Sequence, residues 1–170
     1  KGLADKLARR PAGPPKTQVR RLGILGAGMM GAGVAYVSAL AGMEVVLIDS
    51  TLELAEKGKA YSRALLAKDV ERGKRTQADA DAILARIKPT VSYDDLAGSD
   101  LVIEAVFESR EIKADVTQKT EAVIPKNAVC ASNTSTLPIT GLAQASKRPT
   151  QFIGIHFFSP VDKMPLVEII

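Results

Sequence analysis

A strand-like run of apolar residues leads directly into a glycine-rich turn and then into a helix-like run, and this order constrains the fold more than any other feature. The turn, Gly26-Ala27-Gly28-Met29-Met30-Gly31, fits the pattern G-x-G-x-x-G. In this pattern the first glycine permits a tight turn, the second lets a bound group approach the backbone, and the third lets helix and strand pack closely. Unpaired N–H groups and the dipole at the helix start favour a bound phosphate. The turn therefore predicts a phosphate-binding loop.

A carboxylate follows the next strand-like run. Residues 44–49 read EVVLID, and Asp49 comes 23 residues after Gly26. At this position a carboxylate accepts hydrogen bonds from the ribose hydroxyls of a dinucleotide. Because Ser50 and Thr51 follow, with no arginine to receive a 2′-phosphate, NAD is favoured over NADP. The alternative is that Asp49 only caps the helix that comes next.

Strands and helices alternate along the rest of the chain. Apolar strands of this kind are buried on both faces, so the sequence predicts a Rossmann-type, doubly wound α/β fold with a mostly parallel sheet. A helical pair protrudes after the second strand, and it either holds part of a large substrate or forms a solvated amphipathic hairpin. Pro89 is expected to end that pair. The predicted strands cover 19–25, 44–49, 90–93, 100–105, 128–132, 152–157 and 166–170, and the helices cover 29–41, 52–72, 77–87, 110–123 and 139–145.

Charge and composition exclude several classes of protein. The net charge of +4 comes from residues 1–21, which balance to +6, so the remaining residues balance to −2. With seven aromatic residues and no tryptophan, there is little for stacking on bases, and we expect no nucleic acid partner. Residues 22–43 carry no charge but include six glycines, which favours strand, turn and helix over a membrane span.

The first 18 residues differ from the rest. They are basic and contain three prolines, so we expect a linker or tail ahead of a domain at 19–170, in a chain that is an excerpt of a longer protein. Cys130 is the only cysteine, which excludes an internal disulfide and indicates a reducing compartment. A bacterial cytoplasm is the first expectation, with mitochondrion and peroxisome left open. We expect no metal site.

The only histidine lies at the carboxyl end of a predicted strand, where open α/β sheets bind their ligands. His156 ends the run FIGIH, and Glu168 lies in LVEII, where a buried carboxylate needs a partner. Paired with that carboxylate, the ring has a fixed tautomer and is suited to accept the proton of an alcohol as a hydride leaves. Ser135, in SNTST, offers a hydroxyl at the same edge. The alternative is a histidine with only a structural role.

Taken together, GAGMMGAGVA, EVVLID, VIEAVFE, ASNTST, and HFFSP followed by LVEII resemble, in order and spacing, the NAD-binding domain of the L-3-hydroxyacyl-CoA dehydrogenases. The resemblance covers residues 20–170. GAGMMGAG with HFFSP is most similar to the dehydrogenase part of multifunctional fatty-acid oxidation enzymes, in which an enoyl-CoA hydratase domain comes first. The resemblance implies NAD-dependent oxidation of L-3-hydroxyacyl-CoA to 3-ketoacyl-CoA in β-oxidation.

The resemblance also implies roles for individual residues. His156 is the general base, Glu168 orients it, and Ser135 hydrogen-bonds the substrate oxygen. Glu108 and Lys113 match positions near the ribose and nicotinamide of the cofactor, the alternative being an exposed helix start. The cofactor-binding set is then Gly26, Gly28, Met29, Met30, Gly31, Asp49, Glu108 and Lys113.

Lys68 and Arg72 share one face of the long helix at i and i+4, and either meet CoA phosphates or form a solvated charge stripe.

The chain departs from the family in two ways. Mitochondrial single-function members usually have asparagine where this chain has Ser159. A catalytic asparagine and a helical C-terminal domain fall beyond Ile170, so we expect the excerpt alone to be inactive. The parent is expected to be a homodimer or to associate with other β-oxidation activities.

Two rival functions stay open. One is a dehydrogenase of a short β-hydroxy acid, which relies on a lysine base, and no buried lysine near the sheet edge is evident. The other is a non-catalytic dinucleotide-binding module, which has no need of Glu168 beside a lone histidine.

Overall fold

The computed structural model describes residues 17–170. The predicted tail at 1–18 lies outside the described residues, apart from its last two positions. The chain forms five α-helices and seven strands within the described range. In chain order they are β1 (Arg21–Leu25), α1 (Met29–Leu40), β2 (Glu44–Ile48), α2 (Leu52–Glu71), α3 (Gln77–Ala85), β3 (Ile87–Thr90), β4 (Leu101–Glu104), α4 (Arg110–Glu121), β5 (Val129–Ser132), α5 (Ile139–Ala143), β6 (Phe152–Phe157) and β7 (Val167–Ile169).

The strands form one sheet in the order β3-β2-β1-β4-β5-β6-β7. The first six pair in parallel, and β7 pairs antiparallel with β6. Leu25 is level with Ile48 on one side and with Glu104 on the other, so three strands end at the same edge. The order reverses between β1 and β4, and at such a switch point a crevice opens at the carboxyl ends. The doubly wound fold predicted from the sequence is confirmed.

Helices cover both faces of the sheet, which explains why its central strands are apolar throughout. Ile24 and Leu47 pack with Val34 of α1 on one face, whereas Val46 and Val102 pack with Val116 of α4 on the other. The uncharged run at 22–43 is divided between β1, the glycine turn and α1. No helix in the described part of the chain is long and apolar enough to cross a membrane.

The third strand, Ile87–Thr90, begins three residues earlier than the predicted strand at 90–93. Pro89 does not end a helix; it lies inside β3, opposite Leu47 of β2. The preceding helix ends at Ala85, because Ile87 is buried in the core as the first residue of the strand. Since β3 is at the edge of the sheet, a residue without an N–H group is tolerated there. Tyr93, the last residue of the predicted strand, instead begins a 3₁₀ helix at Tyr93–Leu96.

The helical pair packs against the core along one side. Leu66 of α2 and Ile83 of α3 belong to the core. With 20 residues, α2 is about 30 Å long, whereas the five residues of β2 span about 17 Å. The pair therefore extends past the sheet, as the sequence predicted.

Candidate functional site

The glycine loop is fixed by close backbone packing at the switch point. Gly26 has a φ of +94°, and its N–H donates to the carbonyl of Ile48 at 2.8 Å. A Cβ on Gly26 would lie 2.6 Å from the carbonyl oxygen of Ala105, and a Cβ on Gly31 would lie 1.8 Å from the carbonyl oxygen of Gly26. Neither position accepts a larger residue without movement of the backbone. These two glycines therefore shape the loop.

Gly28 has a different environment. It is the N-cap of α1, and a Cβ there would have no atom within 4 Å. No side chain caps this helix, and its first turn contains no acidic residue. The helix start therefore presents unpaired N–H groups and a positive dipole to open space, which fits a pyrophosphate. Met29 is exposed beside it, and Met30 lines a neighbouring cavity.

Asp49 is tied to the loop. Its Oδ2 accepts from the N–H of Ala27 at 2.7 Å, and its Oδ1 accepts from the N–H of Ser50 at 2.6 Å. Thr51, not Asp49, caps α2, since its hydroxyl accepts from the N–H of Leu54 at 3.2 Å. The helix-cap alternative for Asp49 is therefore wrong. Lys57 lines a small cavity together with Asp49. A basic side chain therefore shares a cavity with Asp49, although the residues that follow Asp49 in the sequence are Ser50 and Thr51.

Two cavities of similar size flank the segment after β4 at the carboxyl edge. One, of about 450 Å³, is bordered by Gly26, Asp49, Val91 and Ile112. The other, of about 440 Å³, is bordered by Met30, Glu108, Ser135 and His156. Val106 lines both. In folds of this type a dinucleotide crosses the switch point, with one half on each side.

His156 and Glu168 are brought together at the second cavity. Nδ1 of His156 lies 2.9 Å from Oε2 of Glu168, and the side chains are 22% and 51% exposed. All three residues of β7 are exposed, so the expectation that burial forces Glu168 to find a partner is wrong. The pair forms because the two residues face each other in the antiparallel register of β6 and β7.

Other groups surround the histidine. Ser135 is exposed and lines the same cavity, and the Phe158 ring lies 4.6 Å from the imidazole, centroid to centroid. Oδ1 of Asn133 accepts from the N–H of Phe157 at 3.1 Å, which ties the end of β5 to the end of β6 next to His156. Ser159 also lines the cavity. Asn133 was not singled out in the sequence, although it lies within the quoted SNTST run.

Glu108 forms part of the cavity wall. Its Oε1 accepts from the hydroxyls of Thr134 and Thr136, and its Oε2 lies 3.3 Å from Nζ of Lys113. Burial alone would raise the pKa of Glu108, but the two threonine hydroxyls and the Lys113 charge outweigh it and lower the pKa. Its side chain is 35% exposed.

Lys113 is not at an exposed helix start. Its side chain is 1% exposed, and Nζ bonds Oε1 of Glu104 at 2.7 Å. The expectation that no buried lysine lies near the sheet edge is therefore wrong. Because this ammonium bonds two carboxylates, it has no lone pair with which to act as a base. Glu104 was missed; the signal for it was a carboxylate in the otherwise apolar run DLVIEA.

Lys68 of α2 and Arg72, the C-cap residue of that helix, are exposed and line neither of the two cavities. The structure does not bring them to the histidine. Gly58, another residue not singled out, lets α2 approach the loop, since a Cβ there would lie 2.7 Å from the Cβ of Ala27.

The comparisons with known proteins agree with this geometry. Residues 21–170 match the family described as 3-hydroxyacyl-CoA dehydrogenase, NAD binding domain. The chain is 42% identical over 168 residues to a fatty acid oxidation complex subunit alpha from Psychrobacter arcticus, covering 99% of this chain and 23% of the relative. It is 48% identical over 152 residues to the subunit of the same name from Acinetobacter baylyi, covering 89% and 21%. The chain thus spans less than a quarter of the length of these relatives.

Solved structures give the same result. An (S)-3-hydroxybutyryl-CoA dehydrogenase from Ralstonia eutropha superposes with a TM-score of 0.85 at 41% identity, covering 89% of this chain and 54% of that one. A 3-hydroxybutyryl-CoA dehydrogenase from Escherichia coli superposes with a TM-score of 0.86 at 36% identity, covering 90% and 32%.

Proposed function

Since the chain belongs to the 3-hydroxyacyl-CoA dehydrogenase family, as its NAD-binding domain, we propose that it holds NAD and supplies the general base for oxidation of L-3-hydroxyacyl-CoA to 3-ketoacyl-CoA. One observation carries the proposal: His156, which is paired with Glu168, lines the same cavity as Met30 of the glycine loop. A proton acceptor thereby lies next to a phosphate-binding helix start, which is the combination that alcohol oxidation requires.

In this proposal the loop and the two cavities hold the cofactor. Gly26, Gly28, Gly31 and the start of α1 bind the pyrophosphate, and Asp49 accepts from the adenosine ribose. Met29 and Met30 contact the cofactor from within the loop, and Glu108, backed by Lys113, faces the other half of the cofactor. Bound NAD supplies the acceptor for the hydride.

His156 is the proton acceptor in this proposal. With Nδ1–H donating to the Glu168 carboxylate, Nε2 carries the lone pair and faces away from Glu168. Nε2 takes the proton of the substrate hydroxyl, and the hydroxyl of Ser135 donates to the same oxygen. Asn133 supports this arrangement by fixing the end of β6.

The proposal also includes a substrate, partners and a location. An acyl-CoA is the substrate, with Lys68 and Arg72 on the extended helical pair as contacts to its phosphates. We also propose that the parent is a homodimer or associates with other β-oxidation activities. A bacterial cytoplasm is the proposed location, since the relatives above are bacterial.

A chimera tests the function directly. The chain would replace the matching segment of the Acinetobacter baylyi relative, and oxidation of NADH by acetoacetyl-CoA would be followed. We expect turnover with the CoA thioester and none with free acetoacetate. Turnover of free acetoacetate alone would favour the short hydroxy acid dehydrogenase, and NADH binding without turnover of either compound would favour the binding module.

A further inference from the structure

A buried ion cluster stands behind the cavity wall, and no step of the proposed reaction uses its innermost member. The cluster consists of Glu104 at the end of β4, Lys113 in α4, and Glu108 in the loop between them. The side chains of Glu104 and Lys113 are 7% and 1% exposed, whereas Glu108 borders the cavity that contains His156.

Glu104 accepts hydrogen bonds through both of its carboxylate oxygens. Its Oε1 accepts from the N–H of Val106 at 2.8 Å and from Nζ of Lys113 at 2.7 Å, and its Oε2 accepts from the hydroxyl of Ser132 at 2.7 Å. These three donors come from the β4–α4 loop, α4 and β5. Charge-assisted bonds of this kind offset the cost of burying the charge and fix the carboxylate in place.

The cluster carries a net charge. Two carboxylates and one ammonium sum to −1, and the described contacts of Glu104 and Lys113 supply no further cation. Inside a protein such a charge is screened far less than in water. The oxidised nicotinamide ring is a cation, and the reduced ring is neutral. A negative cluster beside the ring therefore favours the oxidised form of the cofactor.

We propose that Glu104 is a positioning residue that, through Lys113, holds Glu108 against the cavity and gives the cluster the single negative charge that favours bound NAD⁺ over NADH. This inference rests on the proposed function, because it assumes that the nicotinamide half lies against Glu108.

The ratio of dissociation constants, Kd of NAD⁺ over Kd of NADH, tests the inference with the 170-residue chain. NADH binding is followed by fluorescence at pH 8, and NAD⁺ binding by competition. Glu104→Gln leaves the cluster neutral, so the ratio should rise, on the order of three- to tenfold for one partly screened charge. A purely structural role would weaken both forms alike and leave the ratio unchanged.

A second pair of variants covers the case in which Glu104→Gln fails to fold. Lys113→Met retains the Glu104 charge, and Lys113→Met with Glu104→Gln lacks it. The ratio should be three- to tenfold lower in the single variant than in the double variant, and the double variant should resemble the wild type. Equal ratios in these two variants would overturn the inference.

Glu121→Gln is the matched control. This carboxylate also accepts hydrogen bonds, from the Ser146 hydroxyl and the N–H of Lys147, but it lies at the far end of α4. In the Glu121→Gln variant, the ratio of the NAD⁺ and NADH dissociation constants should equal that of the wild type. A wild-type chain that bound neither form would overturn the cofactor assignment as well, whereas normal binding with an unchanged ratio in the Glu104 variants would overturn only the role of Glu104.

Discussion

His156 and Glu168 lie directly opposite each other in the antiparallel register of β6 and β7, with Nδ1 of the ring 2.9 Å from the carboxylate. Opposed residues in such a pair have neighbouring Cβ atoms, so strand pairing alone aligns the two side chains. The carboxylate is half exposed, and an exposed pair contributes little to stability. We therefore propose that Glu168 acts by holding the His156 ring in one tautomer and one orientation.

The first prediction concerns this pair, in the chimera with the Acinetobacter baylyi relative. His156→Ala should lower kcat by roughly 10² to 10⁴, the usual range for a general base, with NADH affinity nearly unchanged. Glu168→Gln should lower kcat by a smaller factor, because the ring loses the group that orients it. Steady-state kinetics and NADH titration measure both effects. Wild-type rates in both variants would contradict the assignment.

The second prediction contrasts two glycines of one loop. Gly31→Ala places a methyl group 1.8 Å from the carbonyl oxygen of Gly26, so it should destabilise the chain by about 2 to 4 kcal/mol or prevent folding. Gly28→Ala meets open space, so stability should change by less than about 1 kcal/mol. NADH affinity should nevertheless fall at least tenfold, because the methyl group occupies the proposed pyrophosphate position. Urea unfolding and fluorescence titration separate the two outcomes, and tight NADH binding by Gly28→Ala would count against the loop assignment.

The third prediction concerns the choice of cofactor. A carboxylate at Asp49 should repel the 2′-phosphate of NADPH, at a cost of several kcal/mol, so NADH should bind at least about 100-fold more tightly. Asp49→Asn should reduce this preference. Lys57→Ala serves as the comparison, since removing the cation that shares a cavity with Asp49 should increase the preference further. Equal affinities of the wild type for NADH and NADPH would refute the assignment.

The fourth prediction concerns stability and pH. The Asp95 carboxylate accepts from Lys88 at 2.7 Å and from Thr90 at 2.6 Å, and these donors lower the pKa of Asp95 from its ordinary value of 3.8. A lowered folded pKa contributes stability above pH 3.8 that is lost as the pH falls through the folded value. Asp95→Asn should therefore cost about 1 kcal/mol at pH 7, and the difference from wild type should shrink below about pH 3.

Urea unfolding at several pH values measures that difference. Asp94→Asn is the control, because the Asp94 side chain is exposed and takes no part in the described hydrogen bonds. A difference for Asp95→Asn that stays constant down to pH 2 would show that the loss is not electrostatic.

Local signals in the sequence predicted most of the fold. The β1, glycine turn and α1 unit was predicted correctly because strand, turn and helix each have their own residue pattern. The prediction at Pro89 was wrong because a proline, judged from its neighbours alone, ends a helix, whereas the edge position of β3, at which a proline is tolerated, depends on the whole sheet.

The candidate site was also predictable from the sequence only in part. By itself the sequence determined the glycine loop, the carboxylate after β2 and the lone histidine at a strand end, since each depends on residue type and short spacing. Only the tertiary structure decided that Glu168 meets His156 through antiparallel register on an exposed edge, and that Lys113 is buried between Glu104 and Glu108. Pairing of residues distant along the chain is set by strand order and by the desolvation of buried charges, and a carboxylate in an apolar run indicates that a partner is needed without identifying that partner.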